Sequence, residues 1–282
     1  MKNRKIIYII ITAICVVSII VAVYHQIFSK KVINENVLNE ISNNVEEPDT
    51  TSDHEDLVTE FNKLFTNTFY KQNNSTDGIT KIAGLEDKDI IYSAYNIVKE
   101  KKDSYNIDLQ LPVYNIAGEV ASEFNGRTQL IFADKASAIL AEATEYTVYN
   151  VKYVAYLNDD ILSLIIKATL KEGNGAQRII VQAYNYNITT NTAVTLNEVL
   201  AEKNISTSSA NKKIETQVKD AKEQAETISG ATGQAVYKRD LNNAMYLTDN
   251  VSNFFIGKNG QIYIVYAYGN NNMTSEIDII KL

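Results

Sequence analysis

The sequence predicts an α+β fold, an antiparallel sheet packed against helices, preceded by one N-terminal transmembrane helix. Three observations carry this expectation. Residues 6–28 form an apolar run with no Asp, Glu, Lys or Arg. Beyond it, apolar residues recur first at a helical spacing and later at every second position, the periods of helix and half-buried strand. The strand-like runs are joined by Asn158-Asp159-Asp160 and Gly173-Asn174-Gly175, residue types that tolerate positive φ and close antiparallel hairpins. Helices segregated from such a sheet define the class.

The first run covers roughly 34 Å at about 1.5 Å per residue, against a hydrocarbon core of about 30 Å. Lys2, Arg4 and Lys5 precede it. Their positive charge assigns residues 1–5 to a cytoplasmic tail and the rest of the chain to the outside. A cleaved signal peptide has a shorter apolar region ending in small residues, whereas this run continues through Tyr24, His25, Gln26, Ile27 and Phe28 without Ala-x-Ala. Cys15 follows Ile14 inside the run, which argues against a lipoprotein anchor. Residues 6–28 therefore read as an uncleaved signal anchor in the cell membrane. Residues 29–55, polar and closing on Glu46, Glu47, Asp49 and Asp53, read as an acidic spacer. Residues 56–282 then form an extracytoplasmic α+β domain.

Within that domain a helix begins at Asp53, which caps it, and places Leu57, Phe61, Leu64, Phe65 and Phe69 on one face. Residues 73–78 break it. A second helix is expected over 87–101, with Ile90, Ile91, Ala94, Ile97 and Val98 inward. Tyr105, Ile107, Leu109, Leu111 and Val113 then alternate with polar residues as a strand, and Pro112 places its end at an edge or bulge. An Ala-rich helix follows over 117–143, interrupted at Asn125-Gly126. Strands over 146–157, 161–171 and 177–188 make a meander. A short helix over 196–200 and a polar one over 210–228 precede strands at 253–257, 261–268 and 275–280.

Composition narrows the function. All 34 acidic residues lie beyond the anchor, as do all but three of the 27 Lys and Arg. The exterior is thus more acidic than the chain's net −7, which argues against nucleic acid as a partner and permits a cationic one. Cys15 is the only cysteine, so the exterior has no disulfide and depends on a packed core.

Catalytic groups are scarce. His25 sits at the outer end of the anchor and His54 at the edge of the spacer, leaving no base for nucleophilic catalysis in the expected core and no His or Cys set for zinc. Asp87-Lys88-Asp89 lacks the spacing of a calcium loop and reads as helix N-terminal acids. Asp159-Asp160 reads as a turn. The expectation is a protein that is not an enzyme and carries no cofactor and no metal. Tyr184 and Tyr186 share one strand face and Tyr266 and Tyr268 another. Such rows can stack on sugar rings or anchor a protein, or half-bury as ordinary strand residues.

Two resemblances follow from longer strings. Ser229-Gly230-Ala231-Thr232-Gly233-Gln234 resembles the Ser-Gly-Ala-Thr-x-Thr signature of exported proteins with covalently linked flavin mononucleotide. Gln234 occupies the acceptor position and has no hydroxyl, so the string also suits a helix stop. Over residues 105–282 the chain resembles a conserved-unknown extracytoplasmic module of Gram-positive bacteria. The resemblance is carried by residues 105–113, Leu162-Ser163-Leu164-Ile165-Ile166, residues 173–175, Tyr184-Asn185-Tyr186-Asn187-Ile188, Thr195-Leu196-Asn197-Glu198-Val199-Leu200 and the hairpin at Asn259-Gly260. That module forms the outer domain of the lysozyme-sensing anti-sigma factor and is appended to some peptidoglycan deacetylases.

The resemblance implies a membrane-tethered, non-catalytic binding module contacting a lysozyme-like cell-wall hydrolase or the cell-wall glycan. Contact is expected at Tyr268, Asn270, Asn271 and Asn272, with Tyr184 and Tyr186 as further candidates. Departures limit it. Gly175-Ala176-Gln177 stands where the family often has Gly-Ala-His, and Tyr268-Gly269-Asn270-Asn271-Asn272 where it commonly has Pro-Tyr and Ala-Ala-Gly. Five residues before the anchor cannot grip a sigma factor, and no esterase motifs are present. An exported flavin-binding redox protein and a scaffold for a membrane assembly, docking through the anchor or the helix over 210–228, are the alternatives.

Overall fold

Residues 54–72, 79–82, 88–270 and 273–282 are described by the computed structural model, all of them within the unit Thr51–Leu282. The tail, the expected span over 6–28 and nearly all of the spacer lie outside the described residues. Among the described residues no helix is long and apolar enough to cross a membrane.

Three long strands organise the domain. β5 (Thr147–Asn158), β6 (Ile161–Glu172) and β7 (Arg178–Asn187) pair antiparallel in the order the turns predict. Asp159 and Gly173 adopt positive φ at the two turns, as expected of those positions. β6 is apolar almost throughout because both of its faces are covered. Leu162, Leu164, Ile166 and Ala168 enter one core while Ile165 enters another.

The free edge of β5 is shared. β4 (Tyr105–Tyr114) runs parallel to its first half, and β1 (Thr68–Gln72) runs parallel to its second. β3 (Ile91–Lys101) pairs β4, β2 (Ile79–Ile82) pairs β1, and β8 (Thr192–Ala193) pairs β7. The eight-stranded sheet is therefore rich in antiparallel pairs but carries two parallel ones. Parallel neighbours need a crossover, which the helical segment between β4 and β5 supplies.

Asn67 sits where β1 and β4 meet. Its φ is 55°. Its N–H donates to the Tyr153 carbonyl at 2.9 Å, its Oδ1 accepts from Tyr153 N–H at 3.1 Å, and its Nδ2 donates to Gln110 Oε1 at 2.7 Å. Asn tolerates this backbone region and supplies the missing strand contacts. Replacing Asn67 by Ala should cost about 1–3 kcal/mol, read from the urea midpoint, because both reasons for its presence are lost.

Two expected helices are corrected here. The first, α1 (His54–Lys63), takes up the last two residues of the expected spacer and ends before Leu64; Phe69 instead points into the core from β1. The stretch expected as a second helix is β3. Ile91 and Ile97 fit either period, whereas Val98, expected inward, is exposed; pairing decides the matter: Tyr95 and Ile97 lie opposite Leu111 and Leu109 and pack on the core. Lys88 and Asp89 lie in the turn before β3, so they are not helix N-terminal residues, and Asp87 lies outside the described residues. Pro112 pairs Ser93 beside a register shift, beyond the part of β4 that pairs β5, where a missing N–H does least harm.

The Ala-rich segment is α2 (Glu119–Thr128), a π-helical turn (Gln129–Ala133) and α3 (Asp134–Glu142). Its interruption is the π turn, not Asn125-Gly126. Asn125 holds the helix to the sheet: its Oδ1 accepts from Tyr114 N–H and its Nδ2 donates to the Tyr114 carbonyl, each at 2.8 Å. The main core lies between these helices and one face of the sheet.

Part of the other face carries a second layer. β9 (Phe254–Ile256), β10 (Ile262–Asn270) and β11 (Met273–Lys281) form a three-stranded antiparallel sheet. Val265, Ile277 and Ile279 pack with α1 against Val154, Ile165 and Val181 of the large sheet. Ile262, Ile264, Tyr266 and Ile280 pack under α4 (Leu196–Glu202) and α5 (Thr207–Thr232). Buried polar groups of the large sheet pin the edge of β9. Ser163 Oγ donates to Asn185 Oδ1 at 2.6 Å and accepts from Ile256 N–H at 3.1 Å, while Asn185 Nδ2 donates to the Phe254 carbonyl at 2.8 Å. α4 opens with a Thr195–Glu198 capping box. α5 runs through Ser229-Gly230, expected to stop it, to a left-handed cap at Gly233 (φ 70°), whose N–H donates to the Ser229 carbonyl.

Candidate functional site

β11 places an acid inside the second layer. Asp278 is flanked by Ile277, Ile279 and Ile280 and is 0% exposed. A buried carboxylate requires partners, and two distant chain segments provide them. Arg239, from the irregular stretch after α5, approaches as a fork, with Nε donating to Oδ2 at 2.7 Å and Nη2 to Oδ1 at 2.8 Å. His54 Nε2, from the start of α1, lies 3.2 Å from Oδ1. Arg239 is 4% exposed; it also donates from Nη1 to the Tyr237 carbonyl at 3.1 Å and lies 3.1 Å from Glu276 Oε2. Glu276 Oε1 accepts from Tyr237 N–H at 2.5 Å.

Tyrosines close the network from below. The Tyr268 ring stacks on Tyr237 at 4.8 Å, faces Arg239 at 5.1 Å, and its hydroxyl is 3.0 Å from that of Tyr246. Burial, the Asp278 charge and the hydrogen bonds with Tyr246 and Asp278 push the Tyr268 hydroxyl well above the ordinary tyrosine value. Burial alone would raise the Asp278 carboxyl. Hydrogen bonds from Arg239 and His54, with their charges, outweigh it and hold the carboxyl below the ordinary carboxylate range.

The sign of the pH dependence follows from that direction. A carboxyl depressed in the fold contributes stability that is present above its unfolded value of 3.8 and is lost as pH falls through the folded value below it. Denaturant midpoints should therefore fall as pH drops below about 4 in the natural chain. An Asp278→Asn variant, weaker at neutral pH, should show a flatter profile over the same range.

A groove of about 770 Å³ opens above this network, between α1, the C-terminal part of α5 and the start of β11. Val58, Ile179, Ala225, Ile228, Val236 and Ile277 line its apolar part, and His54, Glu55, Arg239 and Glu276 its polar part. A shallower hollow beside it, sharing Glu55 and Ile228, adds Asp220 and Glu223. Among the described residues no three His, Cys, Asp or Glu side chains gather as a metal-holding group. The groove combines an apolar floor, acidic side chains and an arginine already engaged by Asp278 and Glu276.

The tyrosines considered as contact rows are buried. Tyr184 and Tyr186 lie under α2, 5.2 Å and 6.4 Å from the Phe124 ring, and Tyr266 and Tyr268 face the α4–α5 layer. Each strand face that carries them is the one a helix covers. Tyr268 is 4% exposed and is not an outward anchor. Asn270 ends β10 opposite Met273, while Asn271 and Asn272 lie outside the described residues. The flavin-like string closes α5: Ser229 Oγ donates to the Gln234 carbonyl at 2.7 Å, and Gln234 lines the groove.

Sequence reasoning passed over His54, Arg239, Glu276 and Asp278. His54 looked like spacer, and Arg239 lies in an aperiodic stretch. Asp278 did leave a signal, as an acid set between Ile277, Ile279 and Ile280, where burial would demand a partner.

No family model matches the chain, and no curated protein does. Two solved structures similar to it are DUF3298 family proteins. One, from Pseudomonas aeruginosa PAO1, has 9% identity and a TM-score of 0.40, covering 65% of this chain and 84% of its own. The other, from Bacteroides fragilis NCTC 9343, has 13% identity and a TM-score of 0.30, covering 63% and 80%.

Proposed function

We propose that this chain is a membrane-tethered, non-catalytic extracytoplasmic binding domain of a Gram-positive envelope, and that its partner is a cationic cell-wall hydrolase of the lysozyme kind. The acid-walled groove is the observation that carries the reading. Its lining is amphipathic, and its strongest ionic groups hold the fold together: Asp278 is engaged by Arg239 and His54, so the arrangement suits recognition better than proton transfer. The resemblance to the outer domain of the lysozyme-sensing anti-sigma factor, and the acidic exterior, point the same way.

Retention of lysozyme by the full-length chain in neutral detergent tests this, with an unrelated acidic protein of equal net charge as reference. Retention clearly above the reference supports a specific partner. Retention equal to it reduces the effect to bulk charge, and retention of purified peptidoglycan instead would move the partner to the glycan. Protection of residues 29–282 from protease in intact cells would overturn the outward orientation.

A further inference from the structure

We infer that the groove between α1 and the C-terminal half of α5 is the docking site for that partner, and that it takes a segment presenting Lys or Arg on either side of a bulky apolar side chain. The inference rests on the proposed function for the partner's identity, and on the geometry for its place. Ile228 is 50% exposed at the groove, where a large apolar side chain gains most from a covering partner. Val58 and Ile277 continue the apolar surface inward.

Charge selects what lies over it. Glu55, Asp220 and Glu223 flank the apolar strip. At its base Arg239 is neutralised by Asp278 and Glu276, and His54 faces Asp278, so Glu276 does not count toward the rim. Lys219 reaches Glu223 only as an exposed pair at 3.8 Å, an arrangement worth little against the acidic field. Complementarity therefore favours a cationic, amphipathic segment. The segment before His54 carries Glu46, Glu47, Asp49 and Asp53, the same sign as the rim, which disfavours it as occupant.

The test uses the full-length chain in a neutral detergent and a fluorescent Lys-Leu-Lys-Leu-Lys peptide, with the Glu-Leu version and empty micelles as references. The natural chain should bind the basic peptide only. Asp220→Lys with Glu223→Lys should weaken binding about tenfold or more, because like charge replaces attraction. Reversing two exposed acids far from the groove, Glu100→Lys with Glu119→Lys, changes net charge equally and should leave affinity within about twofold. Ile228→Ser should also weaken binding, with folding checked by circular dichroism. Equal losses in the groove and remote pairs, no loss in either, or no binding of the basic peptide would each overturn the site. So would self-association abolished by Ile228→Ser, which would assign the groove to a second copy. Lysozyme retention separates the two claims. Retention unaffected by the groove variants removes the site but leaves the function, whereas peptide binding without lysozyme retention keeps the site and removes that partner.

Discussion

Replacing Arg239 by Ala should destabilise the domain by about 3–5 kcal/mol, the largest effect expected of any single charged residue here. The change leaves Asp278, 0% exposed, without its bidentate partner, and leaves Glu276 without a cation at 3.1 Å. His54 at 3.2 Å cannot replace a fork that meets both carboxylate oxygens. It also removes the planar group over the Tyr268 ring. Urea denaturation at pH 7 measures the loss. Arg239→Lys should recover only part of it, since an ammonium cannot hold both oxygens, and a Lys variant as stable as the natural chain would reduce the site to simple charge balance. Asp278→Asn with Arg239→Met should be less damaging than Arg239→Ala, because neither partner is then left charged and buried.

The second large effect is expected at the π turn. Phe132→Ala should cost about 3–5 kcal/mol, while Leu130→Ala two residues earlier should cost no more than about 0.5 kcal/mol. Phe132 is 0% exposed and Leu130 69% exposed. The backbone carbonyl of Phe132 also accepts the Tyr149 hydroxyl at 3.2 Å, so a collapse of the turn would disturb β5 as well. Paired denaturation curves test this. Similar losses at the two positions would mean that the π turn does not set the phase of the helix.

The two predictions rest on features of very different legibility. The meander and its turns were readable because each rests on local chemistry: strand-forming runs, Asp159 and Gly173 at positive φ, and Pro112 beside an irregularity in the ladder. The helix over 196–200 was readable because Thr195 and Glu198 satisfy each other's backbone groups. β3 reads as a helix from its own residues because Ile91 and Ile97 fit two periods, and only pairing with β4 distinguishes them. The π turn was misplaced because Asn125-Gly126, a common breaker, is instead bonded to Tyr114 across to the sheet, a contact that local propensity does not contain.

By itself, the sequence determined the α+β class, the acidic excess beyond residue 28, the apolar run over 6–28 and the order of most strands, since these depend on composition and on neighbours within a few residues. Tertiary structure decided which side chains are available. Tyr184, Tyr186 and Tyr268 are withdrawn from solvent because helices cover their strand faces. His54, Arg239 and Asp278 become one site although 185 and 39 positions separate them along the chain. Burying a charge forces distant segments to supply its partners, and that requirement is met in space, where periodicity along the sequence does not reach.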